Sequence, residues 1–239
     1  TTLLVYALNE GLIDSAVLSC VDQIVPLKAV PKLATTKKEI MDCAGTRYTY
    51  SPSMLALKEA ILLKRKNLAF VGTPDQIQAF RMIQTLPLKK FSEAVVFTFG
   101  VFCSECFTYE GLIRQLIQKE LKIDLAEVAK INIKGKLLVT TRSGKVNEIS
   151  LKEAKKHVRK CVTQCSDFSS ELADVSVGGL GLEGWTFTVL RTEKGLEIFK
   201  EAEEKGLIQA RPVGEENQVL DLLRKLSRKK RENVVTSIL

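Results

Sequence analysis

No apolar run in this sequence approaches the length needed to span a bilayer, and the opening stretch TTLLVYALNEG is broken by Asn9 and Glu10 before a signal-peptide pattern can develop. That reading excludes a membrane span and leads to the expectation of a cytoplasmic protein. Aromatic residues make up only 6% of the chain and are not interleaved with its basic residues, so no nucleic-acid partner is expected. The single histidine, His157 in KEAKKHVRKC, reads as a surface helix residue rather than a ligand. Internal repeats and low-complexity linkers are absent.

What is present describes a globular chain. Its 239 residues, 45% hydrophobic and 27% charged, can bury a full core as one large domain or two small ones. The net charge of +8 by itself suits an anionic partner of any of three kinds, a nucleic acid, a membrane surface or a phosphorylated and carboxylated coenzyme. Much of that excess lies in the tail RKLSRKKREN, which reads as a solvated helix face. Six cysteines in a chain with no sign of export point to reduced thiols or metal ligands, not disulfides.

The first half alternates strand, loop and helix. Leu3, Leu4, Ala7 and Leu8 share one face of a helix that Gly11 ends, and residues 13–20 read as a strand. Thr36 and Glu39 have capping-box spacing before a short helix, and Ser51-Pro52 offers an N-cap and first position to a helix through LALKEAILLKRK. Residues 68–71 form a short buried strand, and Thr73-Pro74 opens the next helix in the same way. A long strand over residues 94–102 ends at Cys103, and helices are expected over residues 109–121 and 125–130. The turns Lys134-Gly135 and Ser143-Gly144 then predict an antiparallel meander. A strand at 187–190, a helix at 193–205 stopped by Gly206, and a charged helix from about Glu215 complete the chain. The expected fold is mixed α/β: an N-terminal α/β layer, a small antiparallel β insertion, and a C-terminal cysteine and glycine-loop segment. The division is 1–125 for the α/β part, with 126–239 holding the meander, a cysteine pair, the glycine loop and terminal helices.

Residues 161–195 are the organising stretch. Two cysteines, Cys161 and Cys165, precede the carboxylates Asp167, Glu171 and Asp174, then Gly178, Gly179, Gly181 and Gly184, and then the only tryptophan, Trp185, with Thr186. Glycines so dense let a backbone approach a ligand closely, and their amides can cradle a phosphate or a flavin edge. Cys103 and Cys106 form a second close pair, and four thiolates brought together suit tetrahedral zinc or a cubane iron–sulfur cluster. Cys20 and Cys43 read as packing residues.

The words LVYALNEGLIDSAV, AGTRYTYSPSMLALKEA, VGTPDQIQAFRMIQTLP, VFCSECFTY, CSDFSSELADVSVGGLG and EGWTFTVLRTEKG follow one another in the order of a known family. The chain resembles the beta subunit of coenzyme F420-reducing hydrogenase and the related beta chains of formate dehydrogenase and F420H2 dehydrogenase. That resemblance implies FAD, a [4Fe-4S] cluster, coenzyme F420 as substrate, and a redox partner subunit in a hetero-oligomer. Hydride would pass between deazaflavin and flavin, and single electrons between flavin and cluster, with no catalytic acid or base demanded. The flavin walls would be Gly45, Tyr48, Ser51, Pro52, Gly72, Thr73 and Pro74, opposite Gly178, Gly179, Gly181, Gly184, Trp185 and Thr186; Arg47 and Arg191 would meet the substrate's anionic groups.

The implied cluster ligands fall at Asp75, Cys103, Cys161 and Cys165. Three departures from the family pattern stand out: Asp75 replaces a cysteine, Cys106 replaces an asparagine, and the final pair has one extra residue between its members. Either Asp75 is an oxygen ligand or Cys106 supplies the fourth sulfur, the latter favoured because soft sites select thiolate. Trp185 either stacks on a ring or fills core space. Because the sequence starts at Thr1, upstream residues are expected, including a glycine-rich segment that family members place against the flavin. Two readings from other classes are a zinc-stabilised basic binding module and a degenerate paralogue serving as a scaffold.

Overall fold

The computed structural model describes residues 1–214 and 217–238. Its strands are β1 (Ser15–Val21), β2 (Ala29–Ala34), β3 (Leu68–Gly72), β4 (Val95–Val101), β5 (Val128–Lys134), β6 (Lys136–Thr141), β7 (Val146–Ile149), β8 (Val175–Gly178) and β9 (Phe187–Leu190). Its helices are α1 (Thr2–Asn9), α2 (Lys37–Asp42), α3 (Ser53–Leu62), α4 (Pro74–Gln84), α5 (Lys89–Ser92), α6 (Leu151–Lys155), α7 (Glu193–Glu204) and α8 (Asn217–Ile238). One sheet has the order β2-β1-β3-β4-β8-β9, with β1, β3, β4 and β8 parallel and the edge strands β2 and β9 antiparallel. It draws strands from both sides of residue 125, and the separate sheet β5-β6-β7 is inserted between β4 and β8.

Strand alternation assigns the two faces of the large sheet, reset in β4 by an irregularity where Leu68 pairs with Val95 and Ala69 with Phe97. Ala16, Leu18, Ala34, Ala69, Phe99 and Val175 pack with Leu4, Tyr6, Ile40, Ile198 and Ala202 of α1, α2 and α7. Val17, Leu33, Leu68, Phe70 and Val95 turn the other way, onto Ala56, Leu57, Ala60, Ile77 and Phe80 of α3 and α4. The result is the expected mixed α/β architecture, a sheet covered by helices on both sides.

Several elements differ from the sequence expectation. β2 escapes the sequence pattern because Pro31 interrupts it; as an edge strand it tolerates the missing donor. Residues 125–130 are not a helix: a single tight turn, Leu125–Glu127, leads into β5, where pairing with β6 overrides local helix preference. The helix after Cys106 spans Tyr109–Glu120 with π-type i→i+5 hydrogen bonding, continued by the amide of Leu121 donating to Leu116 O at 3.0 Å. α3 starts at Ser53 with Pro52 as its cap, so Ser51 lies one residue too early to cap it. Thr36 caps its helix as expected, accepting from the Glu39 amide, but the Glu39 carboxylate reaches back to the Thr35 amide instead of that of Thr36; Thr73-Pro74 opens α4 as expected, with Gln76 completing a capping box. Glu215, the expected start of the last helix, lies outside the described residues.

One buried carboxylate joins the layers. Asp174, 1% exposed, accepts from the Thr98 amide at 2.8 Å, the Thr98 hydroxyl at 2.7 Å and the Thr192 hydroxyl at 3.0 Å, and it pairs with Arg81 and Lys194 at 3.3 Å each. Burial pushes its carboxyl upward, but the Thr98 hydrogen bonds and the charges of Lys194 and Arg81 outweigh this and hold it below the usual carboxylate range. Asp174→Ala is expected to lower stability by about 3–5 kcal/mol, because two cations lose their buried partner. Since its folded-state pKa is depressed, wild-type Asp174 contributes above the unfolded carboxylate value of about 3.9 and loses its contribution as pH falls through the folded value. Urea unfolding of both proteins at pH 7 and below pH 4 measures this; a difference at pH 7 under about 1 kcal/mol contradicts the assignment.

Candidate cofactor and cluster site

The parallel strands β3, β4 and β8 all deliver their carboxyl ends to one edge, where α/β sheets bind ligands. Gly72 ends β3 and hands over to Thr73-Pro74; β4 runs into Phe102 and Cys103; β8 ends at Gly178 and opens the glycine loop. Because β4 lies between the other two, the Thr73 turn and the glycine loop stand on opposite sides of its end.

Two further segments are sewn onto this edge. The Gln76 amide donates to Ser51 O at 2.6 Å while its carbonyl accepts from the Thr73 amide at 3.1 Å, tying the loop holding Gly45, Tyr48, Ser51 and Pro52 to that of Gly72, Thr73 and Pro74. Phe107 bridges to Thr49 on one side and to Val158 on the other, and the Arg159 amide donates to Cys106 O at 2.9 Å. Cys103 donates its amide to Phe168 O at 2.9 Å. The expected flavin loops and both cysteine segments thus form one continuous network of contacts.

The residues expected to hold flavin divide by what they already do. The Ser51 hydroxyl and Arg47 Nε are buried with no hydrogen-bond partner, as is the Ser19 hydroxyl on β1, and the first two are therefore available to a ligand at this edge. Arg47 otherwise donates to Ala44 O at 3.0 Å beside Gly45, whose φ is +102°. Gly179, Gly181 and Gly184 have open space where a side chain would lie, with Gly181 and Gly184 at positive φ. Gly178 and Gly72 have packing reasons instead: a Cβ at Gly178 would meet the Phe102 ring at 2.3 Å, and one at Gly72 the Phe70 ring at 3.0 Å. Tyr48 packs toward the meander core, Thr73 and the buried Pro74 serve the start of α4, and Thr186 is exposed. Trp185 is half-buried beneath the Arg211 guanidinium at 4.6 Å. Arg191 is engaged internally, donating to the Ser176 hydroxyl at 3.0 Å and the Ser169 hydroxyl at 2.9 Å. The orphaned donors and the open glycine loop fit a flavin in kind.

Cys103 and Cys165 are buried, Cys106 is half-buried, and Cys161 is exposed on the tight turn Lys160–Gln164. Burial pushes the Cys103 thiol up to about 11 and the Cys106 thiol up to about 12. Burial also raises Cys165. The Asp75 charge adds to the rise at all three, whereas Lys230 opposes it at Cys103 and Cys165. Asp75 sits in the first turn of α4, where its charge is favourable by about 0.3–1 kcal/mol, and accepts from the Thr73 hydroxyl. Among the described residues no three His, Cys, Asp or Glu side chains are placed to hold one metal ion. The thiols are gathered without forming a coordination shell, and as a soft donor set they fit an iron–sulfur group in kind. Cys43 is a core residue pushed to about 12 by burial, with Cys20 packed beside it, as expected.

Two family models account for most of the chain, both describing the beta subunit of coenzyme F420 hydrogenase/dehydrogenase: its N-terminal part matches residues 1–58 and its C-terminal part residues 65–216. The chain belongs to the coenzyme F420 hydrogenase/dehydrogenase beta-subunit family. This is a family of oxidoreductase subunits. Coenzyme F420 hydrogenase subunit beta of Methanosarcina barkeri is 36% identical over 237 residues, 97% of this chain and 81% of that protein. Its counterpart in Methanococcus voltae is 33% identical over 231 residues, 95% of this chain and 82% of that protein. A chain of the xenon-derivatized F420-reducing [NiFe] hydrogenase complex from M. barkeri superposes with a TM-score of 0.94 at 34% identity, covering 99% of this chain and 82% of that one.

Sequence reasoning about this family member misses three residues at the site. Gln76 reads only as part of a helix start. Arg159, half-buried with its guanidinium 3.5 Å from the Tyr50 ring centroid, locks the two bridged segments together. Lys230, in a tail whose charge suggests a solvated face, is 8% exposed and donates to Cys103 O. Its spacing from Val219, Leu223 and Leu226 continues one apolar helix stripe, a signal the charge run conceals. Exposure and burial order the thiols: in the metal-free chain at pH 8, Cys161 is expected to alkylate first and Cys43, Cys103 and Cys106 last, by roughly tenfold or more in rate. Peptide mass spectrometry of iodoacetamide-treated protein checks the order, and equal labelling of Cys161 and Cys103 contradicts it.

Proposed function

We propose that this chain is the electron-entry subunit of a larger enzyme, exchanging hydride with coenzyme F420 and passing electrons to a redox partner subunit. When bound, FAD and a [4Fe-4S] cluster supply the hydride exchange and the one-electron steps. The observation that carries the reading is the junction at Phe107, which places the loop of the orphaned Ser51 hydroxyl directly against the cysteine segments. A two-electron site and a one-electron site then share one edge of the sheet.

The chain's own residues hold, orient and exclude water. Ser51 and Arg47 offer buried donors to a flavin ring or pyrophosphate, and the glycine loop after β8, with open space at Gly179, Gly181 and Gly184, lies on the other side of β4. Cys103, Cys161, Cys165 and a fourth donor would hold the cluster. Asp75 already serves Thr73 and the start of α4, which favours Cys106 as that donor. With Arg191 engaged internally, Arg47 is the better candidate of the two for the substrate's anionic groups. Relatives carry the names coenzyme F420 hydrogenase, coenzyme F420-dependent sulfite reductase and F420-dependent formate dehydrogenase, so the partner is one of several enzyme types within a cytoplasmic hetero-oligomer.

Anaerobic purification followed by iron, sulfide, zinc and flavin analysis tests the proposal. About four irons and one flavin per chain are expected, with F420 reducing the flavin. Cys103→Ala and Cys106→Ala should lose the iron while Asp75→Ala keeps it. A colourless protein with one zinc, or one with neither group after reconstitution, overturns the proposal in favour of a binding module or a scaffold.

A further inference from the structure

Lys230 stands apart from the rest of the basic tail. It is 8% exposed on α8, it donates to the backbone carbonyl of Cys103, and among the described residues no carboxylate pairs with it. Lysine is almost never buried this far unpaired, because desolvating an ammonium costs several kcal/mol unless a negative charge answers it. The helix is turned so that its neighbour Arg231 reaches the surface carboxylate of Glu171, while Lys230 follows the apolar stripe of Leu223 and Leu226 inward. The negative charge that would balance it is therefore the one formed by thiolates at this site.

We propose that Lys230 is the fixed counter-charge of the cysteine site and raises the reduction potential of the cluster held there. The inference rests on the cluster reading above. It concerns a residue of α8, beyond residue 216 where the family-model match ends. Each one-electron reduction would add one negative charge to the site, with no bond made or broken, the electron coming from the flavin and leaving to the partner. A fixed cation beside the site stabilises the more negative, reduced state. Lys230 reaches the backbone of Cys103, so its charge stands beside a buried thiol of the site. Lys230 is a positioning and tuning residue: it touches the ligand's backbone, not the reacting atoms.

The test is a redox titration, followed by electron paramagnetic resonance, of the reconstituted full chain as wild type, Lys230→Met and Lys230→Arg. Lys230→Met should lower the midpoint by about 59 mV or more, a tenfold change in a one-electron equilibrium constant. Lys230→Arg should keep the wild-type value. An unshifted Lys230→Met, or an equal shift in both variants, overturns the inference. If Lys230→Met takes up no iron, a full iron load at wild-type potential in Lys230→Arg still supports the charge role, whereas iron loss in both variants at unchanged melting temperature overturns it. A wild-type chain without iron removes the cluster reading and this inference together; an iron-loaded wild type with an unshifted Lys230→Met removes only the inference.

Discussion

The structure depends on the burial of one carboxylate. Asp174 lies at the end of the segment between the Cys161/Cys165 pair and β8, and there it meets hydroxyls from Thr98 and Thr192 and cations from Arg81 and Lys194. Those partners come from β4, the start of α7, and α4, so both helical layers and the central strand share one electrostatic anchor. A buried carboxylate is costly unless several donors answer it, and here five contacts do so. Gly195 belongs to the same joint: a Cβ there would stand 2.5 Å from Asp174 O, so α7 can dock only with glycine at that position.

That joint fixes the register of β8 on β4, and with it the point where each strand releases its chain into the site. Phe102 lies against Gly178, and Ser170 fills the space beside Gly100, so the ends of the two strands are close-packed up to the residue before Cys103. Beyond that point the packing stops. Gly179, Gly181 and Gly184 border open space, and the Ser51 hydroxyl and Arg47 Nε have no partner. A fold that satisfies its interior so thoroughly and leaves donors unsatisfied at one edge concentrates its unused hydrogen-bonding capacity where a ligand can take it up.

The cysteine segments show the opposing pulls of such an edge. Burial raises the thiol pKa of Cys103, Cys106 and Cys165, and Asp75 strengthens that effect. Lys230 pulls the other way at Cys103 and Cys165. Because the helix carrying Lys230 packs through Val219, Leu223 and Leu226 onto Phe168, Leu180 and Phe187, the packing of the terminal helix and the electrostatics of the thiols are coupled.

The alternation of strands and helices, the capped starts at Thr36 and Thr73, the turns of the meander and the family were all legible from the residues alone, because periodicity, capping chemistry and contiguous words are local properties of a chain. The glycine loop and both cysteine pairs were marked in the same way. Local pattern misled at residues 125–130, where strand pairing outweighed helix preference, and at Ser51, whose capping role Pro52 took, leaving the hydroxyl buried and unpaired. It took the assembled layers to turn Arg191 toward Ser169 and Ser176, to let Gln76 and Phe107 join loops distant in sequence, and to bury one lysine of a basic tail beside Cys103. Each of these depends on which surfaces meet when the layers close, and that is set by long-range packing that no local window of sequence contains.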